Sequence, residues 1–313
     1  MTRNYGEGKT DYASTQRSPP DPEPADPADP NLATRENLPL VPPSVNTECL
    51  PDPLTDGERP LTVVEARETY LKIEWDAWNT EGHTSKHMRH RKQLYPRLLE
   101  ADRQLQERYN GLTTAMLTRR LSPLDDHGEW LTPWECIGML HGGTVRRRVR
   151  RCLNRKIQQP FEWVAVTAPT ESEGTPHEHI YLWIDDPKDR VGVEDLAPAL
   201  EKHLDGCANA YERHHEYEPD GSDGAIRVEH SPPLTGTIPE KFFQIQETTE
   251  AEPRPNTSGA FYLARQLAHL PVGDYYNSEK LDPPDALLDG AALAWASGDT
   301  YRWFRTSHGV PEL

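Results

Sequence analysis

The chain has 313 residues, with 51 acidic against 34 basic side chains and a formal net charge of −17. This charge disfavours a broad basic nucleic-acid footprint, unless the protein works in very high salt, where a Debye length of about 3 Å at 1 M screens the acidic surface. No apolar stretch approaches the roughly 18 residues of a membrane span, and the amino terminus lacks the apolar core of a signal peptide. A soluble, cytoplasmic protein without a membrane partner is expected.

Arginine outnumbers lysine, and acids are scattered through otherwise ordinary segments. This composition is typical of a salt-adapted, halophilic surface, although a merely acidic protein has the same composition. The four cysteines lie far apart and include no CxxC pair, so neither a zinc finger nor a disulfide framework is expected. They are Cys49, Cys136, Cys152 and Cys207.

The first 57 residues are rich in proline and acids, and residues 18–60 hold many of the 30 prolines. Such a segment buries too little apolar surface to offset its ordering entropy, so a mobile acidic tail is predicted. Residues 58–110 follow as a helical extension with apolar residues three and four apart. At least two helices are expected there, broken near Gly82 and at Pro96.

The part from 111 to 313 is predicted to be one α+β domain, in which helices cover the opposite face of a mostly antiparallel sheet that carries a histidine pair. Thr132, Pro133 and Glu135 predict a helix start, and Gly142 and Gly143 its end. The other predicted elements are a strand at 111–121, a basic helix at 144–157, a strand hairpin at 161–167 and 177–185, a helix at 193–215, a strand at 225–230, a loop at 231–258, a helix at 257–270 and a helical segment at 285–304.

The segment PHEHIYLWID at 176–185 carries the clearest chemistry. Residues two apart on a strand point to the same face, so His177 and His179 can bind one metal ion, with Tyr181 and Trp183 beyond them. Among 13 histidines an HxH pair is weak evidence when it stands alone.

Three motifs in order strengthen it: AMLTRRLSP with Met116, Leu117 and Thr118; PHEH after the glycine of an EGTPH turn; and AFYLARQL with Tyr262 and Arg265. Together they resemble the HUH nucleases and, more closely, the rolling-circle replication initiators of haloarchaeal plasmids and viruses. The resemblance runs from about Thr113 to the carboxyl end. Two positions depart from the usual pattern: Glu178 replaces a bulky apolar residue, and Arg265 stands where lysine is commoner.

The resemblance implies an RNA-recognition-like core and metal-dependent nicking of single-stranded DNA at a replication origin. A divalent ion, Mg²⁺ or Mn²⁺, on His177 and His179 would polarise the scissile phosphate. Tyr262 would attack phosphorus, forming a 5′-phosphotyrosine and a free 3′-hydroxyl, and Arg265 would stabilise the developing charge. Since no GxxxxGK[ST] motif is present, a host helicase and polymerase are expected partners.

The third metal ligand has two candidates. Gln266 lies four residues after Tyr262, on the same face of its helix, a spacing that resembles the single-tyrosine transposases. Glu171, in the hairpin loop, is second, because it reaches the ion only if the loop folds back. The alternative is that Gln266 is an ordinary helix residue and that water completes the shell.

Alternative interpretations remain open. Tyr262 can be an ordinary aromatic of an amphipathic helix, and Tyr275 and Tyr276 are the reserve nucleophiles. A single-tyrosine transposase or relaxase would use the same chemistry, and an inactive DNA-binding protein would keep the fold without it.

Overall fold

The structure of the protein is a computed structural model. The structure describes residues 37–45, 55, 59–79, 86–125, 127–170, 174–238, 240, 258–269, 285–297, 301–311 and 313. Within these ranges five strands form one sheet in the order β4-β1-β3-β2-β5, with every neighbouring pair antiparallel. The α+β class and the antiparallel sheet are therefore confirmed. The strands are β1 Leu112–Arg119, β2 Phe161–Pro169, β3 Pro176–Asp185, β4 Ile226–His230 and β5 Phe304–Thr306.

Seven α-helices lie in the described part of the chain. Thr132 caps α3 with a reciprocal bond to Glu135, and Gly142 ends it, so both boundaries that the sequence predicted are confirmed. The helices are α1 Val63–Asn79, α2 Lys86–Arg108, α3 Pro133–His141, α4 Gly143–Lys156, α5 Val193–Leu204, α6 Ala260–His269 and α7 Asp285–Ser297.

Along the chain the elements of this part follow the order β1-α3-α4-β2-β3-α5-β4, and in the sheet β3 is the middle strand. Since β1 and β2 both run antiparallel to β3, they are parallel to each other, and the chain crosses over β3 between them. This is a split βαβ arrangement. The register places Thr118 opposite His179 and Arg119 opposite Glu178.

Successive residues of β3 separate into two faces, as the alternating sequence predicted. We name them the histidine face, with His177, His179, Tyr181 and Trp183, and the aliphatic face, with Ile180, Leu182 and Ile184. The aliphatic face packs in one cluster with buried residues of α3, α4 and α5, among them Leu140, Val149 and Leu200.

The histidine face is covered as well, by α6, the helix predicted to carry Tyr262, and by α2, which was predicted only as part of an extension. Leu98 and Leu105 of α2 and Leu263 of α6 pack on Tyr181 and Trp183. Burying a large side chain favours folding by roughly 1.5–3 kcal/mol, so two exposed aromatic rings at the sheet centre would be costly. The segment predicted as an extension thus supplies α2 to the core.

Two predicted element boundaries are wrong. Pro96 does not break α2, which continues through it while Leu94, Leu98 and Leu99 stay buried against the core. The helix predicted at 193–215 ends at Leu204, just before Gly206, a poor helix former, and a single 3₁₀ turn follows at Glu212–His214.

A third predicted boundary, at the carboxyl end, is also wrong. The helix predicted to reach residue 304 ends at Ser297, and Phe304–Thr306 pairs with β2 as an edge strand. Phenylalanine and threonine favour strands, which fits this outcome.

Residues 37–45, inside the predicted mobile tail, have one defined conformation. Leu38, Leu40 and Val41 are buried in a cluster with α1 and α7. The Leu40 N–H donates to Leu61 O at 2.7 Å, and the Val63 N–H donates to Leu38 O at 2.9 Å. The short apolar run LPLV therefore docks despite its proline-rich surroundings, while residues 1–36 lie outside the described residues.

Two expectations about covalent and membrane chemistry can be compared with the described residues. Cys136, Cys152 and Cys207 are free thiols, and Cys49 lies outside the described ranges. None of the described helices combines the length and the apolar character that crossing a membrane requires.

Candidate functional site

The two histidines of β3 face each other in the buried interior of the histidine face. The Nε2 atoms of His177 and His179 are 2.9 Å apart and share a hydrogen bond, and both side chains are buried. Their rings meet edge to face, with centroids 4.6 Å apart. The strand alternation thus brings both Nε2 atoms to one point, as the sequence predicted.

Both imidazoles are neutral at neutral pH. Burial, with a smaller contribution from the charge of Arg120, lowers the pKa of His177 to about 4. Burial and the neighbouring His177 hold the pKa of His179 well below its ordinary value. Neutral imidazole is the form that coordinates a metal ion, but the proton of the Nε2–Nε2 hydrogen bond must move to Nδ1 before both Nε2 atoms can act as ligands.

Thr118 orients the second histidine. Its Oγ1 lies 3.0 Å from Nδ1 of His179, directly across the β1–β3 ladder. A hydrogen bond at Nδ1 fixes the ring and leaves Nε2 as the ligating atom, the usual arrangement around metal-binding histidines. The sequence analysis named Thr118 within its first motif but assigned it no substrate contact.

The turn before the histidine strand depends on Gly174. Its φ of +61° lies in the left-handed region, which glycine adopts without a steric penalty. The Gly174 N–H donates to Thr170 O at 2.9 Å, and the Thr170 N–H donates to Thr175 O at 3.0 Å. This closed turn sets where β3 begins and therefore where His177 lies.

Tyr262 lies beside the histidine pair. Its ring centroid is 5.4 Å from that of His179, and the side chain is 41% exposed. Its neighbours Leu263 and Ala264 are buried, so α6 packs on the sheet with Tyr262 at an accessible margin. A Cβ on Gly259 would come 3.0 Å from the Tyr181 ring, so glycine lets the start of α6 approach the sheet closely.

Two other predicted site residues lie on the same helix as Tyr262. Arg265 and Gln266 lie on the backbone of α6, three and four residues after Tyr262, but their side chains are outside the described residues. Glu171, Tyr275 and Tyr276 fall outside the described ranges altogether. In the part of the chain that the structure describes, no three or more His, Cys, Asp or Glu side chains cluster as a metal site.

The geometry of the pair nevertheless fits a divalent cation. Two cis ligands at about 2.1 Å from an octahedral ion lie about 3.0 Å apart. The observed 2.9 Å between Nε2 atoms matches that spacing. The donor set of two neutral nitrogens, with a third position unassigned, also suits a divalent transition ion such as Mn²⁺.

Comparison of the chain with protein-family models, with curated proteins and with solved structures gives no match in any of the three. The residue geometry therefore carries the functional interpretation.

A buried aspartate of α2 forms hydrogen bonds with the histidine face. Asp102 of α2 accepts hydrogen bonds from Trp183 Nε1 at 2.7 Å and from Ser258 Oγ at 2.8 Å, and Thr235 bonds its other oxygen. Ser258 also lies 2.8 Å from the Tyr181 hydroxyl. Sequence analysis missed this network, although an acid four residues after Leu98 and three before Leu105, inside an apolar helical stripe, is a usable indication of burial.

The residue between the histidines has a different role. Glu178 points to the aliphatic side, as predicted, and is fully buried. Arg119 Nε donates to its Oε2 at 2.9 Å, and Arg305 of β5 donates to its Oε1. Glu178 is thus a buried carboxylate between two guanidinium groups, and no local feature of the sequence pairs it with them.

Proposed function

We propose that the protein is a rolling-circle replication initiator of the HUH superfamily, which nicks single-stranded DNA at a replication origin. One observation carries the proposal. The exposed Tyr262 ring lies 5.4 Å from His179, whose Nε2 is 2.9 Å from that of His177. A hydroxyl nucleophile beside two imidazoles that can hold a divalent ion supports metal-assisted phosphoryl transfer.

The topology supports the same proposal. A strand order β4-β1-β3-β2 built from a split βαβ unit is what an RNA-recognition-like core would have, with the HxH pair on the central strand. The threonine motif of β1 lies next to that pair, since Thr118 bonds His179. The three sequence motifs are 50 or more residues apart along the chain, yet they meet at one place.

His177 and His179 would hold Mg²⁺ or Mn²⁺. When bound, such an ion withdraws electron density from a phosphoryl oxygen and so makes phosphorus a better electrophile. The Tyr262 oxygen forms the new bond to phosphorus as its proton leaves. The bond between phosphorus and the 3′ oxygen breaks, and that oxygen takes up a proton to become the free 3′-hydroxyl.

Three further assignments belong to this proposal. Arg265, one turn from Tyr262 along α6, would stabilise charge on the phosphate or the phenolate. Gln266, with Glu171 second, would supply the third ligand. The free 3′-hydroxyl would pass to a host polymerase, and a host helicase would open the duplex.

The test uses single-stranded 30-mers that tile the DNA next to the gene, each labelled differently at its two ends, with Mn²⁺ added. The wild-type protein should carry the 3′ label through a denaturing gel and release the 5′-labelled fragment. Tyr262→Phe should abolish both products without changing folding, because only the attacking oxygen is lost. Mass spectrometry of the adduct then identifies the residue.

Tyr217→Phe is the matched control, because Tyr217 is 38% exposed and should not affect nicking. Full nicking by Tyr262→Phe would move the role to Tyr275 or Tyr276. Binding without any nicking would favour the inactive DNA-binding alternative. Joining of the bound strand to a different 3′ end, together with transposon-like flanks, would favour the transposase or relaxase.

A further inference from the structure

The helix α4 concentrates positive charge in an acidic protein. Its sequence, GTVRRRVRRCLNRK, holds seven basic residues and no acid, in a chain of net charge −17. Its apolar residues Val145, Val149 and Leu153 are buried in the core of the aliphatic face. Six of the seven basic residues are exposed: Arg147, Arg148, Arg150, Arg151, Arg155 and Lys156.

These cations form no ion pairs with the rest of the described chain, although Arg147 Nε donates to Gly143 O at 2.7 Å within the helix. Among the ion pairs between described residues, none involves a basic residue of α4. Arg147, Arg151 and Arg155 lie four residues apart, a spacing at which like charges on a helix repel each other. An exposed helix face with no binding partner would be expected to carry both acidic and basic side chains, especially in this acidic chain.

The positive region extends beyond the helix. Arg302 is exposed just before β5. The pKa of the half-buried Arg146 is lowered mainly by burial, then by the charges of Arg119 and Arg150. The charge of Arg302 also contributes, so Arg302 lies near the helix. We name Arg147, Arg148, Arg150, Arg151 and Arg155 the α4 arginine surface. It lies over the aliphatic face, on the opposite side of the sheet from His177 and Tyr262.

We propose that the α4 arginine surface binds the phosphate backbone of double-stranded DNA. Fourteen residues make a rigid helix of about 21 Å. Duplex DNA presents one phosphate per strand for about every 3.4 Å of its axis, and it stays straight over far more than that length. A straight row of arginines therefore meets several phosphates of a duplex at once.

Two other anionic partners fit less well. Surfaces that bind single strands combine basic groups with aromatic side chains on which bases stack, and α4 contains no aromatic residue. A membrane-surface helix inserts its apolar face into the lipid, but here that face is buried in the core. The duplex remains the partner whose chemistry the surface matches.

This inference deepens the proposed function, because it adds a duplex-holding surface on the side of the sheet opposite the nicking site. The single strand at Tyr262 and the duplex at α4 would be different segments of the same origin DNA. The two contacts can be tested separately, since duplex binding needs neither a divalent ion nor Tyr262.

The experiment measures fluorescence anisotropy of a blunt 20-bp duplex with the full chain in EDTA, from 0.1 to 1 M KCl. For the wild-type protein, the logarithm of the binding constant should fall linearly with the logarithm of the KCl concentration. Arg151→Gln with Arg155→Gln should make the slope shallower by about 1.8, since each lost phosphate contact accounts for about 0.9. The control, Lys188→Gln with Arg190→Gln, changes the net charge equally in an exposed loop and should leave the slope unchanged.

Thermal unfolding of both variants checks the fold, and the α4 variant should unfold no earlier than the wild type because it relieves like-charge repulsion. Equal slope changes in the two variants, absence of duplex binding by the wild type, or tighter binding to anionic phosphatidylglycerol vesicles would overturn the inference. Nicking of the single-stranded 30-mers is scored separately. If that fails while the α4-dependent salt slope holds, the proposed function is wrong and the duplex surface stands.

Discussion

Each face of the sheet buries one carboxylate against β3, but the two carboxylates have different hydrogen-bond partners. On the histidine face Asp102 is surrounded by neutral donors from Trp183, Ser258 and Thr235. On the aliphatic side Glu178 is held between the guanidinium groups of Arg119 and Arg305.

The consequence is a separation of charge across the sheet. Burial raises the pKa of Asp102 and lowers the pKa values of His177 and His179, so on the histidine face burial favours the uncharged form of each group. Fixed charges collect instead around Glu178 and on the outer side of α4. A divalent ion at the histidine pair would thus be the dominant local charge.

The largest expected effect on stability comes from removing the charge of Glu178. Glu178→Gln leaves Arg119 and Arg305 buried without a counter-charge, which should lower the free energy of unfolding by about 3–5 kcal/mol. Urea denaturation measures it.

Replacing the whole group is the control for that variant. Arg119→Met, Glu178→Leu and Arg305→Met together remove every charge at similar volume and should restore most of the lost stability. A loss below about 1 kcal/mol in Glu178→Gln alone would contradict the view that the two arginines depend on this carboxylate.

The buried carboxyl group of Asp102 should make the stability of the fold depend on pH. Because the folded pKa of Asp102 is raised, the folded protein holds its proton at pH values where the unfolded chain, with a pKa of about 3.9, has lost it. Wild-type stability then falls as the pH rises from about 4 towards the folded pKa. Asp102→Asn removes this dependence, so over that window it should gain up to about 1.4 kcal/mol per pH unit relative to the wild type.

Asp125→Asn provides a control of opposite sign. Backbone hydrogen bonds, first that from Glu129, lower the pKa of Asp125, so its ionised form stabilises the fold. This variant should lose stability relative to the wild type as the pH rises through the acid range. Parallel slopes for the two variants would show that burial does not set the behaviour of Asp102.

The smallest effect on stability is expected at the histidine pair. Thr118→Val removes the 3.0 Å contact to His179 Nδ1, which should cost about 1 kcal/mol and weaken Mn²⁺ binding about 10-fold or more in calorimetry. Thr113→Val is matched to it, because Thr113 lies on the same strand, 2.9 Å from Nδ1 of His230. If both variants bound Mn²⁺ equally well, Thr118 would have no part in orienting the ligand.

The features that sequence predicted are local ones. The alternation in β3 separated His177 and His179 from Ile180 and Leu182, because side-chain direction on a strand repeats every two residues. Thr132, Pro133 and Glu135 located the start of α3, because capping involves residues only three apart. The placement of Tyr262 beside the pair is not local, and it came from the resemblance of three ordered motifs to the HUH nucleases and not from periodicity.

The features that sequence did not predict depend on partners far along the chain. Nothing near Glu178 indicates that Arg305, 127 residues away, will supply its counter-charge. Asp102 became part of the core because α2 covers the histidine face, a choice made by tertiary packing. Leu38 and Leu40 dock although composition around them favours disorder, since two or three buried side chains suffice to hold a short segment.

The pairing of Glu178 with Arg305 also sets an order of events during synthesis. Ribosomes add about 5–20 residues per second, so Glu178 emerges on the order of 10 s before its second partner exists. Until then β2 lacks its β5 neighbour, and the carboxylate has only Arg119 nearby. The nascent sheet therefore exposes an unpaired strand edge, a template for pairing with another chain, beside a half-compensated charge.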